Sequence, residues 1–234
     1  MEKNRTAIIT GAGSGLGYEL ALAHVKVGFL VFALDVAVSS RLSELVEELN
    51  GRIFAYTCDI SSTESVTGAM DDIKTKTSHI DRLFNNAGIH RFADWVTIEE
   101  TDLDFCKTMI DINAVGPLRV VKAAIPLLRD GSIIINTSSE AGSITDADGI
   151  IGYGYAMSKA AMNMGARIMD NWLIGRGIRT LMIHPGRMRT AMRGSHSNID
   201  PWETAAGLMN LIEGIGDIPK EKKFMDYKGA PYNW

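Results

Sequence analysis

The chain has 234 residues, of which 46% are hydrophobic and 22% charged, with a formal net charge of −4, a balance typical of globular rather than disordered proteins. The mild charge and the lack of a basic stripe argue against a nucleic-acid partner, and no apolar run reaches the ~18 residues of a membrane span. The first ten residues lack the apolar region of a signal peptide, and two cysteines and five scattered histidines form neither a disulfide framework nor a metal motif, so we expect a cytoplasmic protein without a metal.

Short apolar segments alternate with longer helical patterns along the whole chain. The predicted strands are 6–10, 30–34, 52–57, 81–85, 132–136 and 179–184, and the predicted helices are about 16–28, 40–50, 63–77, 101–128 and 155–175. Nearly continuous apolar strands are typical of parallel sheets buried on both faces. The alternation predicts an α/β fold of the Rossmann type, a doubly wound parallel sheet of about seven strands with helices on both faces, in a single domain over 1–234. The polar segment 186–200 is predicted to be a short lid over the substrate.

The first predicted strand leads directly into a glycine-rich turn, TGAGSGLG at residues 10–17. Glycine is kept where the backbone needs a positive φ or must come close to another group. Such a turn before a helix places backbone N–H groups at the positive end of the helix, where phosphate binds. The spacing TGxxxGxG differs from GxGxxG, so on this stretch a dinucleotide site is favoured while a surface turn without a ligand stays open.

Asp35 ends the second predicted strand, 18 residues beyond Gly17. A carboxylate there accepts hydrogen bonds from the adenosine ribose and repels a 2′-phosphate, which favours NAD over NADP. An ordinary turn or capping aspartate is the alternative, and Arg41 would offset part of the repulsion. NAD is therefore the expected cofactor, and NADP is less expected because of Asp35.

A second candidate site combines a helix with a strand end. Tyr155 and Lys159 share one face of a predicted helix, where an ammonium group favours the tyrosinate and lowers a phenol pKa that starts near ~10. Such a tyrosine exchanges a proton with a carbonyl or alcohol oxygen near neutral pH. Ser139 follows the fifth strand, where α/β sheets hold ligands, and its hydroxyl would polarise the same oxygen. A helix-surface pair and plain turn serines remain the alternatives.

The chain resembles the short-chain dehydrogenase/reductase family in its basic single-domain form. The resemblance runs nearly end to end and is carried by ordered motifs: Thr10-Gly-x-x-x-Gly-x-Gly17, Asp59, Asn85-Asn-Ala-Gly88, Asn113, Ser139, Tyr155-x-x-x-Lys159 and Pro185-Gly186. Each motif is modest, but their order and placement are specific. The resemblance implies an oxidoreductase that transfers a hydride between a nicotinamide dinucleotide and a small carbonyl or alcohol substrate.

The family's roles carry over where residues match. The resemblance implies that Tyr155 is the general acid/base and that Lys159 lowers its pKa and holds the nicotinamide ribose. It implies that Ser139 binds the substrate oxygen and that Asn113 holds a water at a helix irregularity. The expected cofactor-binding residues are Thr10, Gly11, Ser14, Gly15, Leu16, Gly17, Asp35, Asp59, Ile60, Asn86, Ala87, Gly88, Tyr155, Lys159, Pro185, Gly186, Met188 and Thr190.

A finer resemblance is to the C-factor-like carbonyl reductase branch, which often prefers NADP. It rests on the sixteen-residue step from Ser139 to Tyr155, the Tyr153–Tyr155 pair and the ending FMDYKGAPYNW. Asp35 and Ser14 depart from that branch, since neither is the basic residue that meets a 2′-phosphate. Because the branch includes a developmental signal, a dinucleotide-binding regulatory or signalling protein with little turnover is the alternative function.

The surroundings of the substrate are less defined by the sequence. Core or surface packing is the commoner role of large apolar residues, but four are candidate pocket walls: Trp95, Tyr153, Met188 and Trp202. Glu140 is expected to be a solvated turn residue, and a negative group near the mouth of the pocket is the alternative. The resemblance further implies a homodimer or homotetramer, paired through the helices predicted at 101–128 and 155–175.

Overall fold

The computed structural model describes residues 5–190, 197–217 and 223–234. In these residues seven parallel strands form one sheet in the order β3-β2-β1-β4-β5-β6-β7. The elements are β1 Thr6–Thr10, α1 Gly15–Lys26, β2 Leu30–Asp35, α2 Ser40–Glu48, β3 Ile53–Thr57, α3 Thr63–Lys76, β4 Ile80–Asn85, α4 Leu103–Ile110, α5 Gly116–Ala124, β5 Leu128–Thr137, α6 Tyr153–Leu173, β6 Arg179–His184, α7 Pro201–Glu213 and β7 Phe224–Asp226. The predicted Rossmann-like fold is confirmed.

Helices cover both faces of the sheet. Ile8 and Ile9 are neighbours in β1 and are both fully buried, yet they belong to two separate apolar clusters. Ile9 packs in the cluster formed with α1, α2 and α7, which includes Leu20 and Leu208. Ile8 packs in the cluster formed with α3, α5 and α6, which includes Met70. Since successive side chains of a strand point to opposite faces, the continuous apolar run of β1 is explained by burial on both sides.

The helix predicted over about 101–128 is interrupted at Asn113, where the resemblance implies a helix irregularity. The segment contains α4, a π-helical turn over Asp111–Val115, and α5. In the π-helical turn the N–H of Gly116 donates to the carbonyl of Asp111, five residues back. Pro117 has no N–H to donate to Asn113, four residues back, and its ring crowds that carbonyl, which explains why the regular ladder breaks here.

The strand order reverses between β1 and β4. In open parallel sheets, ligands bind in the crevice at such a reversal, outside the carboxyl ends of the strands. All the predicted strand-end motifs lie on this edge, so the fold gathers them around one crevice. Across the described ranges, no helix is both long and apolar enough to cross a membrane.

Candidate active site

A cavity of about 850 Å³ occupies the crevice at the carboxyl edge of the sheet. It extends from Asp35 at the end of β2 to Tyr155 on α6. The predicted site residues that line it are Gly11, Ser14, Gly15, Leu16, Asp35, Asp59, Ile60, Asn86, Ala87, Gly88, Ser139, Tyr155, Lys159, Pro185, Gly186, Met188 and Thr190. The structure thus brings together residues from every predicted motif except Asn113.

Three predicted site residues, Thr10, Gly17 and Asn113, lie behind the cavity wall instead of lining it. The Thr10 hydroxyl accepts hydrogen bonds from the N–H groups of Asn86 and Ala87, at 3.0 and 3.1 Å, which joins the ends of β1 and β4. A Cβ on Gly17 would lie 2.0 Å from the carbonyl oxygen of Gly11. Thr10 and Gly17 therefore shape the turn from below.

The glycine-rich turn presents N–H donors that precede the helical hydrogen-bond ladder at the start of α1. The first helical hydrogen bond runs from the Tyr18 N–H to the Ser14 carbonyl, at 3.2 Å, so the N–H groups of Gly15, Leu16 and Gly17 precede the intrahelical ladder. The Ser14 side chain makes no capping hydrogen bond. These donors and the helix dipole fit a phosphate group.

Gly11 keeps the same turn close to the end of β4. Its φ is +67°, and a Cβ there would lie 2.8 Å from the Cα of Ala87. Any side chain at this position would push the turn away from β4 and deform the crevice.

Asp35 is held at the other end of the cavity. Its carboxylate accepts the Gly13 N–H at 2.7 Å. Arg41 also lines the cavity, but its guanidinium pairs with Glu19 at 3.1 Å and lies 3.7 Å from the centroid of the Tyr18 ring. Arg41 is thus already partnered, and Asp35 keeps a negative charge on this wall.

Asp59 is fixed beyond the end of β3. Its carboxylate accepts hydrogen bonds from the Ser61 hydroxyl at 2.7 Å and from the Ser61 N–H at 2.8 Å. These bonds favour the ionised form and hold the pKa of Asp59 below its usual range. A second ordered carboxylate therefore lies on the same side of the cavity as Asp35.

Lys159 lies one helical turn from Tyr155, as the spacing predicts. Its Nζ is 5.6 Å from the centroid of the Tyr155 ring and donates to the Thr137 carbonyl at 2.7 Å. Burial lowers the pKa of Lys159 to about 8, because desolvation penalises the charged ammonium. The ammonium is thus a positive charge in a dry environment beside the tyrosine.

Asn113 connects three parts of the site from behind. Its side-chain amide donates to the Ile89 carbonyl and to the Ser158 hydroxyl, each at 2.9 Å, and accepts the Ile89 N–H at 2.8 Å. The Ser158 hydroxyl in turn donates to the Tyr155 carbonyl at 2.8 Å. The π-helical turn thereby fixes the loop after β4 against the helix that carries Tyr155.

The turn that carries Ser139 is anchored by a residue that the sequence did not reveal, His184, through the residue after Ser139. The Ser139 side chain caps a short turn by accepting the Ala141 N–H at 3.2 Å. The next residue, Glu140, donates its N–H to Nδ1 of His184 at 3.1 Å, and its carboxylate lies 3.0 Å from the guanidinium of Arg187. Glu140 lies in a turn with its side chain 34% exposed, as expected, and in addition it connects the ends of β5 and β6.

Of the four candidate walls, only Trp95 and Met188 line the cavity. Tyr153 lies in the first turn of α6, and its side chain diverges from that of Tyr155 because residues two apart point to different sides of a helix. Trp202 lies at the start of α7, largely exposed. His90 is a lining residue that sequence reasoning missed, since a single histidine in a loop carries no periodic signal.

The predicted lid is partly described. Met188 and Ile199 form an isolated parallel bridge, and the Arg189 N–H donates to the Ile199 carbonyl at 2.8 Å. The two ends of segment 186–200 thus lie side by side at the cavity, while residues 191–196 are outside the described residues. Within the described part of the chain, no cluster of His, Cys, Asp and Glu side chains could hold a metal ion.

A parallel sheet of this order, with a glycine-rich first turn, defines the Rossmann-like class of single-domain proteins. The sequence profile described as short chain dehydrogenase matches residues 5–200. The chain belongs to this family of oxidoreductases. The family predicted from the motifs is confirmed.

Individual relatives agree with this assignment. The chain is 34% identical over 161 residues to C-signal of Myxococcus xanthus, covering 68% of this chain and 95% of that protein. It is similar to a short-chain dehydrogenase/reductase of Burkholderia multivorans with bound NADP (TM-score 0.88, 26% identity, covering 99% of this chain and 100% of that chain). It is also similar to a carbonyl reductase of Pseudomonas aeruginosa PAO1 in complex with NADP (TM-score 0.81, 26% identity, covering 98% and 100%). Two of these three relatives are thus known with NADP bound.

The burial of Lys159 predicts how the stability of the cofactor-free protein changes with pH. Because the folded pKa is about 8 and the unfolded one near ~10.4, the unfolded state binds more protons between these values, and the free energy of unfolding rises with pH across that window. Between pH 8 and 10.5, the free energy of unfolding of the wild type should rise by about 3 kcal/mol relative to that of Lys159→Met. Urea unfolding at several pH values measures this.

The control is Lys107→Met, which removes a lysine whose side chain is 79% exposed. The difference in free energy of unfolding between Lys107→Met and the wild type should not change with pH. Parallel stability curves for the wild type and Lys159→Met would show that the ammonium is not desolvated.

Proposed function

We propose that the protein is an NAD(P)-dependent short-chain dehydrogenase/reductase that interconverts a small carbonyl compound and its alcohol. The observation that carries this proposal is the convergence of Ser139, Tyr155 and Lys159 on the cavity that begins at the glycine-rich turn. The N–H groups at the start of α1 and the Asp35 carboxylate fit a dinucleotide along one wall. The cavity volume of about 850 Å³ lies within the usual range for ligand pockets and leaves room for cofactor and substrate together.

In the proposed reaction the carbonyl carbon gains a hydride and the carbonyl oxygen gains a proton, which yields the alcohol. When bound, the cofactor supplies the hydride in reduction and accepts it in oxidation. Tyr155 donates the proton from its hydroxyl, and the Ser139 hydroxyl hydrogen-bonds to the same oxygen. The reverse reaction returns the proton to Tyr155.

Lys159 supports this proton transfer electrostatically. Its buried ammonium, 5.6 Å from the Tyr155 ring centroid, favours the tyrosinate that remains after the proton leaves. Lys159 also holds the nicotinamide ribose in this proposal. The side-chain amide of Asn113 uses its hydrogen-bonding groups on Ile89 and Ser158. Its backbone carbonyl receives no hydrogen bond from residue 117, four positions on, because proline has no N–H. We propose that this carbonyl holds a water near Lys159.

The remaining predicted residues have proposed places along the cofactor. Gly11, Ser14, Gly15 and Leu16 face the pyrophosphate, with Thr10 and Gly17 supporting them. The adenosine lies near Asp35, Asp59, Ile60, Asn86, Ala87 and Gly88, and the nicotinamide near Pro185, Gly186, Met188 and Thr190.

NAD is the proposed cofactor. A 2′-phosphate beside Asp35 would meet a carboxylate that Gly13 fixes, and Arg41 is engaged by Glu19 and Tyr18 rather than free to neutralise it. The Burkholderia and Pseudomonas structures contain NADP, so those two proteins bind the cofactor with the 2′-phosphate. The Asp35 carboxylate on the cavity wall of this chain is the reason that we propose NAD and not NADP.

Tyr155→Phe tests the proton donor. The variant keeps the ring but has no hydroxyl, so kcat for carbonyl reduction should fall at least about 100-fold while the Kd of NADH changes little. NADH oxidation at 340 nm across aldehydes, ketones and quinones, together with NADH titration, measures both. Turnover within a few-fold of the wild type would exclude Tyr155 as the acid.

Asp35→Ala tests the cofactor preference. Removing the carboxylate should narrow the ratio of NADPH to NADH dissociation constants by about tenfold, because the repulsion of the 2′-phosphate disappears. Fluorescence titration with both cofactors gives the ratio. The matched control is Asp104→Ala, an exposed carboxylate on α4. An unchanged ratio in Asp35→Ala would rule out this role.

The alternative function is a dinucleotide-binding regulator with little turnover, and its support is the similarity to a protein named C-signal. The complete set of Asn113, Ser139, Tyr155 and Lys159 favours the enzyme. NADH binding without turnover across the substrate panel would favour the regulator.

We also propose a homo-oligomer formed through α5 and α6. Met157, Met164 and Ile168 form an exposed apolar stripe along α6, and Leu118 on α5 lies beside it, 3.6 Å from the Cβ position of Gly165. Apolar stripes of this kind mark protein–protein contacts.

Sedimentation velocity tests the assembly. Ile168→Glu should shift the wild-type dimer or tetramer towards monomer because it places a charge in the apolar contact. Val27→Glu introduces the same change at an exposed apolar residue at the end of α1 and should leave the assembly intact. A monomeric wild type would contradict the proposal.

A further inference from the structure

Aromatic rings surround His90 at the end of the cavity that holds Tyr155. The centroid of the His90 ring lies 4.8 Å from that of Tyr155, 5.8 Å from that of Trp95 and 5.4 Å from that of Phe92. All three contacts are edge-to-face, the favoured geometry for aromatic pairs. His90, Trp95 and Tyr155 line the cavity, and we call these three residues the aromatic wall.

The aromatic wall is fixed in place. Trp95 donates its indole N–H to Nε2 of His90. The indole also lies over the start of α6, 3.8 Å from the Cβ position of Gly152. These contacts orient the His90 and Trp95 rings beside Tyr155, whose ring centroid lies 4.8 Å from that of His90.

Charge is scarce at this end of the cavity. Of the described lining residues, Glu19, Arg41, Asp35 and Asp59 lie at the opposite end, near β2 and β3. Besides Lys159, the remaining charged side chain among the lining residues that the structure describes is Arg189, which forms two short contacts with Asp200, at 2.8 and 2.7 Å. A carboxylate or phosphate on the substrate would have to compete with Asp200 for that guanidinium.

We propose that the aromatic wall makes this protein selective for uncharged carbonyl compounds that carry an aromatic ring next to the carbonyl group. This inference rests on the proposed function and names its substrate class. The aryl ring packs against Trp95 and His90 while the carbonyl oxygen lies at Tyr155 and Ser139. Contact between two aromatic rings raises affinity by up to about tenfold more than burial of the same apolar area alone does. This factor is the selectivity that we expect for aryl over non-aromatic substrates.

Two matched ligand pairs isolate this effect. Benzaldehyde and cyclohexanecarbaldehyde have rings of the same size, but only the first is aromatic, and phenylglyoxylate adds a negative charge to the aryl carbonyl. Benzyl alcohol and cyclohexylmethanol, titrated calorimetrically into the protein saturated with NADH, form complexes that cannot react and so report binding alone. The titration is repeated without NADH.

In the wild type, kcat/KM should be about fivefold to tenfold higher for benzaldehyde than for cyclohexanecarbaldehyde, and the affinity for benzyl alcohol should exceed that for cyclohexylmethanol by the same factor. Phenylglyoxylate should have a low kcat/KM because of its charge. Trp95→Ala should abolish the preference, and Trp95→Phe should restore much of it because a ring returns. The control is Trp172→Ala, which removes an indole that is exposed on α6 away from the cavity and should leave the preference unchanged.

The outcomes separate the inference from the function on which it rests. Equal binding of the two alcohols in the wild type, no binding of either, or a preference that survives Trp95→Ala would overturn the inference. Turnover of cyclohexanecarbaldehyde without an aryl preference would overturn it while leaving the reductase function intact. An aryl preference in binding with no turnover of any aldehyde would support it and contradict the reductase function.

Discussion

The close approach of the first turn to the end of β4 is the constraint on which the site depends. Gly11 lies so near Ala87 that a Cβ would come within 2.8 Å, and a Cβ on Gly17 would fall 2.0 Å from the Gly11 carbonyl oxygen. Only glycine permits this contact. It brings the N–H groups at the start of α1 to the point where the strand order reverses, and from there the cavity runs without interruption to Tyr155.

A second constraint is the break between α4 and α5. Pro117 ends the regular ladder, and the π-helical turn directs Asn113 towards Ile89 and Ser158. The loop after β4 and the start of α6 are thereby tied together, and the same loop carries His90. The backbone irregularity at Asn113 thus helps to set the position of His90 relative to Tyr155.

Much of this arrangement was predictable from the sequence, because it rests on local patterns. Continuous apolar runs identify the buried strands, the glycines identify the turn, and Asp35, Ser139 and the Tyr155–Lys159 pair follow from their places at strand ends or on one helix face. The helix predicted over 101–128 lacks the observed interruption because its apolar pattern continues through the turn before Pro117, and only the family resemblance implied an irregularity at Asn113. The pattern carries no sign of a π-helical turn.

The remaining errors and omissions involve contacts between distant parts of the chain. His184 accepts the Glu140 N–H across 44 positions, and no pattern local to either residue predicts that bond. Trp202 and Tyr153 are large aromatic residues of the type that lines pockets, but the direction of each side chain depends on how its helix is placed. His90 gains its place from Trp95 and Tyr155, which only the tertiary structure brings to it.

The central claim is that this cavity passes a hydride to a carbonyl carbon, and isotope transfer tests it most directly. The protein is incubated with benzaldehyde and with cyclohexanecarbaldehyde in the presence of NADH that carries deuterium at both C4 positions, and the alcohols are analysed by mass spectrometry. The account predicts one deuterium on the alcohol carbon in each product molecule that the wild type forms. Alcohol without deuterium, or no alcohol from either aldehyde while NADH binds, would contradict it.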